Sequence, residues 1–307
     1  MTSNQTLSVL KRRFEEVGLQ LQHRHGQNFL IDLNLMRLLV SSAELTPNDV
    51  VLEVGTGTGS LTAQVAPQVA HVVTVEIDPR LHQLASEELI DLQNVTMLQL
   101  DALAKKHVIA PAVLAALDEH LAGHPERRFK LVANLPYGVA TPLVSNLLEL
   151  DRPPEMMVIT IQKELADRMA AEPGTKANGA LSLWVQCQGH VELIREMAPS
   201  VFWPRPKVHS AIVRITLDRA RRNAIADRRF FHEFIRKLFL HRRKFLRGVL
   251  VAAFKHEFDK PAIDEILAPL NFGPTVRAEE LGVEQMLALA ERFRGKLREA
   301  APNKAER

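Results

Sequence analysis

Five short runs constrain this chain more than any other feature: "DVVLEV" (49–54), "HVVTVEI" (71–77), "VTMLQL" (95–100), "FKLVAN" (129–134) and "EMMVITIQ" (155–162). They are rich in β-branched residues, and most are apolar nearly throughout. A strand wetted on one face alternates apolar and polar residues, so these runs predict strands covered on both faces. Between them, "LTAQVAPQVA", "PRLHQLASEEL" and "TPLVSNLLEL" repeat apolar residues at helical spacing. Strand and helix in alternation specify an α/β fold with a mostly parallel, doubly wound sheet. Two later runs, around "LWVQCQGHVELIREM" and "VHSAIVRITL", predict further strands joined by the proline-stiffened "FWPRPKV", giving about seven strands. Beyond Leu217 the strand signal ends, and "FFHEFIRKLFL", "FLRGVLVAAF" and "GVEQMLALAERF" read as helices. At the other end, Leu7, Leu10, Phe14 and Val17 follow a helical stripe, and Asp32 is placed to cap a helix over "LNLMRLLVSSAEL". The expected organisation is an amphipathic arm (1–22), a sheet domain (23–217) and a smaller helical domain (218–307).

Composition narrows the function classes. Apolar runs such as "MMVITI" fall far short of the roughly 18 residues of a membrane span, and the N-terminus lacks an apolar signal region, so a cytoplasmic location is expected. A single cysteine, Cys187, rules out an internal disulfide and a Cys-rich metal site. The histidines, His71, His190, His209, His232 and His241 among them, are scattered without a metal-ligand spacing, so no metal is expected. The net charge of +3 hides a local excess. From Arg219 to Arg247 there are eleven Arg or Lys against Asp227 and Glu233, or +9, which leaves −6 for the remainder. Such density suits a polyanion partner or a solvated helix face, and Arg242, Arg243, Lys244 and Arg247 are the candidates for phosphate contact.

The chemistry is expected where strands end. "VVLEVGTGTGSLT" puts Gly55, Gly57 and Gly59 after the first strand, where glycine lets the backbone turn tightly and lets a ligand approach it. The spacing is G-x-G-x-G behind an acid, Glu53, and not the G-x-G-x-x-G of dinucleotide dehydrogenases. Glu76 ends the second strand, where a carboxylate can accept both hydroxyls of a ribose, and Asp101 follows the third, placed to accept from an adenine amino group. Any one acid alone reads equally as a helix cap or a solvated loop; three consecutive strand ends together do not. The fourth strand runs into Asn134, Leu135, Pro136 and Tyr137, and Tyr137 is the only tyrosine beside 13 phenylalanines. An asparagine amide and nearby carbonyls can accept from an exocyclic amine, while the phenol ring offers a face on which a base stacks.

"GQNFLID", "LEVGTGTGSLT", "VEID", "LQLDAL", "ANLPYGVATPL", "FWPRPKVHSAIVRI" and "HRRKFLRGVL", in that order from about Arg24 to the last helices, resemble the ribosomal RNA adenine dimethyltransferases, and most closely their bacterial small-subunit (KsgA/RsmA) branch. The resemblance implies a Rossmann-like methyltransferase domain and a helical RNA-binding domain. It further implies S-adenosylmethionine-dependent N6,N6-dimethylation of two adjacent adenosines near the 3′ end of 16S rRNA in the small ribosomal subunit, by a monomeric enzyme. Matched by position, Asn28 and Leu30 would hold the methionine end of S-adenosyl-L-methionine, Gly55 its carboxylate region, Glu76 the ribose and Asp101 the adenine. Asn134 would orient the reactive amine at the junction with the cofactor, with Leu135 and Pro136 contributing backbone and shape. Tyr137 and Phe202 would stack on the target base, and Gln27 would touch cofactor or loop. Thr56 and Gly138 stand where relatives often have proline and asparagine, Trp203 and Arg205 also depart from the pattern, and the 102–128 segment is longer than expected, with room for an added helix. The competing readings are a large-subunit adenine methyltransferase of the antibiotic-resistance type, an RNA-binding factor that keeps the fold, and a nicotinamide-dependent dehydrogenase, the last disfavoured by its glycine spacing.

Overall fold

The structure is a computed structural model that describes residues 7–16 and 27–300. The chain divides into two compact units, Met1–Ala166 with Val191–Leu217, and Asp167–His190 with Asp218–Arg307.

The first unit is built on a seven-stranded sheet. Its strands are β1 (Asp49–Val54), β2 (His71–Glu76), β3 (Val95–Gln99), β4 (Arg128–Asn134), β5 (Met156–Gln162), β6 (Gly189–Met197) and β7 (Ser210–Leu217). In space they are ordered β3-β2-β1-β4-β5-β7-β6. The pairs β1–β2, β2–β3, β1–β4 and β4–β5 are parallel, and β7 runs antiparallel to β5. Every residue of β1 and β2 is buried, whereas the edge strand β3 is only partly so. The unbroken apolar runs of the central strands follow from that double cover. Successive crossovers leave β1 first toward β2 and β3, then toward β4 and β5, so the order reverses between β1 and β4. A crevice opens there outside the carboxyl ends of the strands.

Helices cover both faces: α1 (Leu7–Glu16), α2 (Leu33–Ser41), α3 (Ser60–Val65), α4 (Pro79–Glu88), α5 (Pro111–Leu121) and α6 (Tyr137–Glu149). Asp32 caps α2 as the sequence predicts, its Oδ1 accepting from the Asn34 and Leu35 amides at 2.9 and 3.1 Å. On α1, Leu10 and Phe14 are buried against Phe29, Leu81 and Leu84. Val17, the fourth residue of the predicted stripe, lies outside the described residues. The long 102–128 segment forms a small hairpin (Leu103–Lys105 with Val108–Ile109) followed by α5.

The second unit is helical: α7 (Lys163–Met169) leads into it, followed by α8 (Ala180–Gln186), α9 (Arg219–Asn223), α10 (Arg228–Phe239), α11 (Leu246–Ala253), α12 (Lys260–Leu267) and α13 (Val283–Ala300). Phe234, Phe254 and Phe293 form its aromatic centre, with the Phe254 and Phe293 rings 4.9 Å apart. On α10 the buried face is Phe231, Phe234, Ile235 and Leu238, and the basic residues occupy the rest. Two expectations are corrected here. "LWVQ" is not strand but the body of α8, and only Gly189–Met197 extends. Leu181, Leu183, Trp184 and Val185 are all buried, and a short run that is apolar all round does not distinguish a covered strand from a covered helix. The single boundary after Leu217 also misses that 167–190 groups with the helical unit. Trp184 stacks on His232 of α10 at 4.2 Å, and the Gly174 amide and Asn178 Nδ2 both donate to the Glu279 carbonyl at 2.8 Å.

Candidate active site

A cavity of about 500 Å³ occupies the crevice of the first unit. Its wall joins the ends of the first four strands: Gly55 to Ser60 after β1, Glu76 and Ile77 after β2, Leu100 to Ala102 after β3, and Asn134 to Val139 after β4. Gln27, Asn28, Phe29 and Leu30 close another side.

The glycine turn lies close against its surroundings at two places. Gly55 has φ +87° and a Cβ there would sit 3.3 Å from Pro136 Cδ; Gly57 has φ +59° and a Cβ would meet the Phe29 ring at 3.1 Å. Both the left-handed backbone and the close approach require glycine. Beneath the turn, Glu53 is buried and its Oε2 accepts from the hydroxyls of Thr62 and of Thr74, the latter at 3.1 Å. Thr74 in turn lies 2.6 Å from the Thr56 hydroxyl. Burial, only partly offset by these bonds, pushes the Glu53 carboxyl up to about 8.

Glu76 is buried and fixed by two backbone donors, the Gly57 amide to Oε2 at 2.9 Å and the Asp78 amide to Oε1 at 3.0 Å. Each oxygen keeps lone-pair capacity for a further donor, as a pair of ribose hydroxyls would supply. Burial raises its pKa and the backbone bonds oppose the rise. Asp101 is exposed at the cavity wall, and its Oδ1 accepts from the Leu103 amide at 2.9 Å. Gln27 contributes a buried Nε2 without a partner among the described residues, a donor in want of an acceptor.

The Asn134-to-Tyr137 segment is held at three points. Asn134 Nδ2 donates to the Asn28 carbonyl at 2.8 Å, the Leu135 amide donates to the Thr160 carbonyl of β5 at 3.2 Å, and the Tyr137 hydroxyl lies 2.7 Å from Ser210 Oγ of β7. With the Asn134 nitrogen committed to Asn28, Oδ1 is the end left to accept a further hydrogen bond. The Tyr137 ring is half-buried at the start of α6, and burial raises the phenol's pKa above its ordinary value.

A family model described as ribosomal RNA adenine dimethylase matches residues 18–294. The chain belongs to the ribosomal RNA adenine dimethylase family. It is therefore a methyltransferase, and the family acts on adenine in ribosomal RNA. Among its relatives, the ribosomal RNA small subunit methyltransferase A of Lactiplantibacillus plantarum is 40% identical over 89% of this chain and 90% of its own. That of Halothermothrix orenii is 36% identical over 89% and 88%. A solved dimethyladenosine transferase from Plasmodium falciparum shares the fold with TM-score 0.72 at 23% identity, over 86% of this chain and 97% of its own.

Membership in the dimethylase family implies use of S-adenosylmethionine, and the cavity's donor and acceptor set fits it. Glu76 suits the ribose, Gln27 a carboxylate, and Ile77 and Leu81 an apolar ring. Of the residues predicted from sequence, Asn28, Leu30, Gly55, Glu76, Asp101, Asn134, Leu135, Pro136 and Tyr137 all wall this one cavity. Phe202 does not. It is 2% exposed, paired with Leu30 across a two-residue bridge and packed in the core with Met36, Leu39 and Ile212, so the assignment of its ring to base stacking is corrected to a structural one.

The Thr56 hydroxyl joins the buried network around Glu53, a bond that a proline in its place could not make. Ile77, the last residue of the run "HVVTVEI", lies past the end of β2 and also walls the cavity; its position directly after the strand-end acid is the sequence signal that marks it. Of the basic group, Arg242 to Lys244 form a turn between α10 and α11. Arg242 pairs with Glu279 at 2.9 Å, and Arg247 clamps Asp264 with two bonds at 2.5 and 2.7 Å. Arg243 and Lys244 are exposed, with no ion pair among the described residues.

Proposed function

We propose that this protein is the S-adenosylmethionine-dependent enzyme that converts two adjacent adenosines near the 3′ end of 16S rRNA to N6,N6-dimethyladenosine in the small ribosomal subunit, acting as a cytoplasmic monomer. The observation that carries the chemistry is the Asn134 amide at the cavity wall, whose nitrogen is tethered to the Asn28 carbonyl, leaving Oδ1 as its acceptor end. The small-subunit assignment is supported by the relatives at 36 to 40% identity, whose names carry it.

When bound, S-adenosylmethionine supplies an electrophilic methyl group. Asn28, Leu30 and Gly55 would border its methionine end, Glu76 its ribose hydroxyls and Asp101 its adenine amine. The chain's own task is to make a poor nucleophile attack. An adenine amino nitrogen is conjugated with its ring, and its lone pair becomes available only as the nitrogen pyramidalises. Asn134 Oδ1 and the neighbouring carbonyls accept its N–H bonds most strongly in that geometry, so they favour the transition state over the ground state. Tyr137 presents a ring face to the base. No strong base is required, because the methylated amine is acidic enough to release its proton to water. A monomethylated amine retains one N–H for Asn134, so the same residues serve the second transfer.

The test is transfer of radiolabelled methyl groups to unmethylated small subunits, large subunits and naked rRNA, followed by mapping. Label is expected on two adjacent adenosines near the 3′ end of small-subunit rRNA, and Asn134→Ala should abolish it while the protein stays folded. Label confined to large-subunit rRNA, or none despite intact cofactor binding, overturns the reading.

A further inference from the structure

With Phe202 in the core, Tyr137 is the stacking residue expected from sequence that walls the cavity. Phenylalanine stacks a base as well as tyrosine does, because stacking uses the ring face. The chain contains 13 phenylalanines and places its single tyrosine here, so the hydroxyl needs its own account.

That hydroxyl lies 2.7 Å from Ser210 Oγ. Ser210 is the first residue of β7, fully buried, and opposite Gln162 of β5 in the antiparallel register. It is not part of the cavity wall, which makes direct contact with a substrate there no part of its role. Water does not reach it to compete for the bond. The ring, by contrast, stands half-exposed at the first position of α6, where only χ1 and χ2 hold it. A bond at the para oxygen, the atom farthest from the backbone, fixes χ1 and so where the ring axis points; rotation about χ2 leaves that oxygen in place, and the bond biases the ring plane only through the phenol's preference to keep its O–H in the plane of the ring.

We propose that Ser210 is a positioning residue for the methyl transfer: through the Tyr137 hydroxyl it anchors the far end of the aromatic ring, holding the ring at the place where its face meets the target adenine. The inference rests on the reading of Tyr137 as the stacking surface. It assigns to β7, which runs antiparallel to β5, a functional contact with the turn after β4.

The experiment is a double-mutant cycle on the full-length protein, comparing Ser210→Ala, Tyr137→Phe and the double variant in single-turnover methylation of saturating substrate rRNA. Each single variant should slow the step roughly fivefold, the effect of one ordinary hydrogen bond. The double variant should be no slower than either, because Ser210 has nothing to act on once the hydroxyl is gone. Cofactor affinity should be unchanged in all three. Because the chain has one tyrosine, ¹³Cζ-tyrosine labelling gives a single NMR resonance, which Ser210→Ala should shift and broaden. The proposal fails if Ser210→Ala still slows the Tyr137→Phe enzyme, if neither single variant slows transfer, or if the resonance does not move. Tyr137→Ala separates this from the underlying reading: if that variant methylates at the wild-type rate, the stacking role itself is lost.

Discussion

At the scale of single residues, two glycines beside the same cavity make opposite predictions. Gly55 combines φ +87° with Pro136 Cδ at 3.3 Å from any added Cβ, whereas nothing lies within 4 Å of a Cβ on Gly138, whose backbone is ordinary helix. Gly55→Ala should therefore cost about 1–2 kcal/mol in backbone strain alone and weaken cofactor binding at least tenfold by calorimetry. Gly138→Ala should raise the melting temperature, by about 0.5–1 kcal/mol of helix propensity. Glu53 makes the second residue-level prediction. The folded protein keeps its proton up to about pH 8, while the unfolded chain releases it near the ordinary 4.5. Between those values the folded state binds more protons, so this residue makes stability fall as pH rises from about 4.5 through 8, by an amount on the order of a few kcal/mol. Glu53→Gln should flatten that slope in melting curves recorded across the window; an unchanged slope would mean the carboxyl is ionised in the fold.

Among the elements, α1 shows how a segment outside the sheet reaches the site. Phe14 is 3% exposed, its ring meets Phe29 edge-on at 5.3 Å, and Phe29 is the ring against which Gly57 is folded. Phe14→Ala should cost roughly 3–5 kcal/mol of stability by denaturant titration and loosen the glycine turn through Phe29. Its predicted signature is weaker cofactor binding from a residue that does not wall the cavity, and unchanged affinity would confine α1 to stability. The helical stripe Leu7, Leu10, Phe14 announced this helix, but nothing in it named Phe29 as its partner, because a stripe gives a face and not what covers it. The strands were legible for the complementary reason: β1 and β2 are buried on both sides, and their composition records it. The same logic misled at "LWVQ", where α8 is also buried all round. Gly55, Glu76, Asp101 and Asn134 could be expected at one cavity because each stands at a strand end, where an α/β sheet opens its crevice. Ser210 and Thr74 could not, since a hydroxyl within a strand carries no mark of the neighbour it will meet.

For the whole molecule, charge is partitioned between segments, and the structure divides the basic group in a way that the sequence did not. Arg242 and Arg247 have their charges compensated by Glu279 and Asp264, while Arg243 and Lys244 stand exposed between them in the turn. Phosphate binding releases counterions only where a protein cation is free to replace them, so each free contact contributes about 0.7 to 0.9 to the slope of log affinity against log salt. Arg243→Ala and Lys244→Ala should each reduce the slope for rRNA binding by about that much. Arg242→Ala and Arg247→Ala should leave it within error, and the loss of these solvent-screened ion pairs should change stability little. Filter binding at four salt concentrations distinguishes the outcomes. Equal effects of all four substitutions would mean that Glu279 and Asp264 release their arginines to the RNA, so that binding trades protein ion pairs for phosphate contacts. No effect of any would return the turn to a solvated surface and require the RNA to be held elsewhere on the chain.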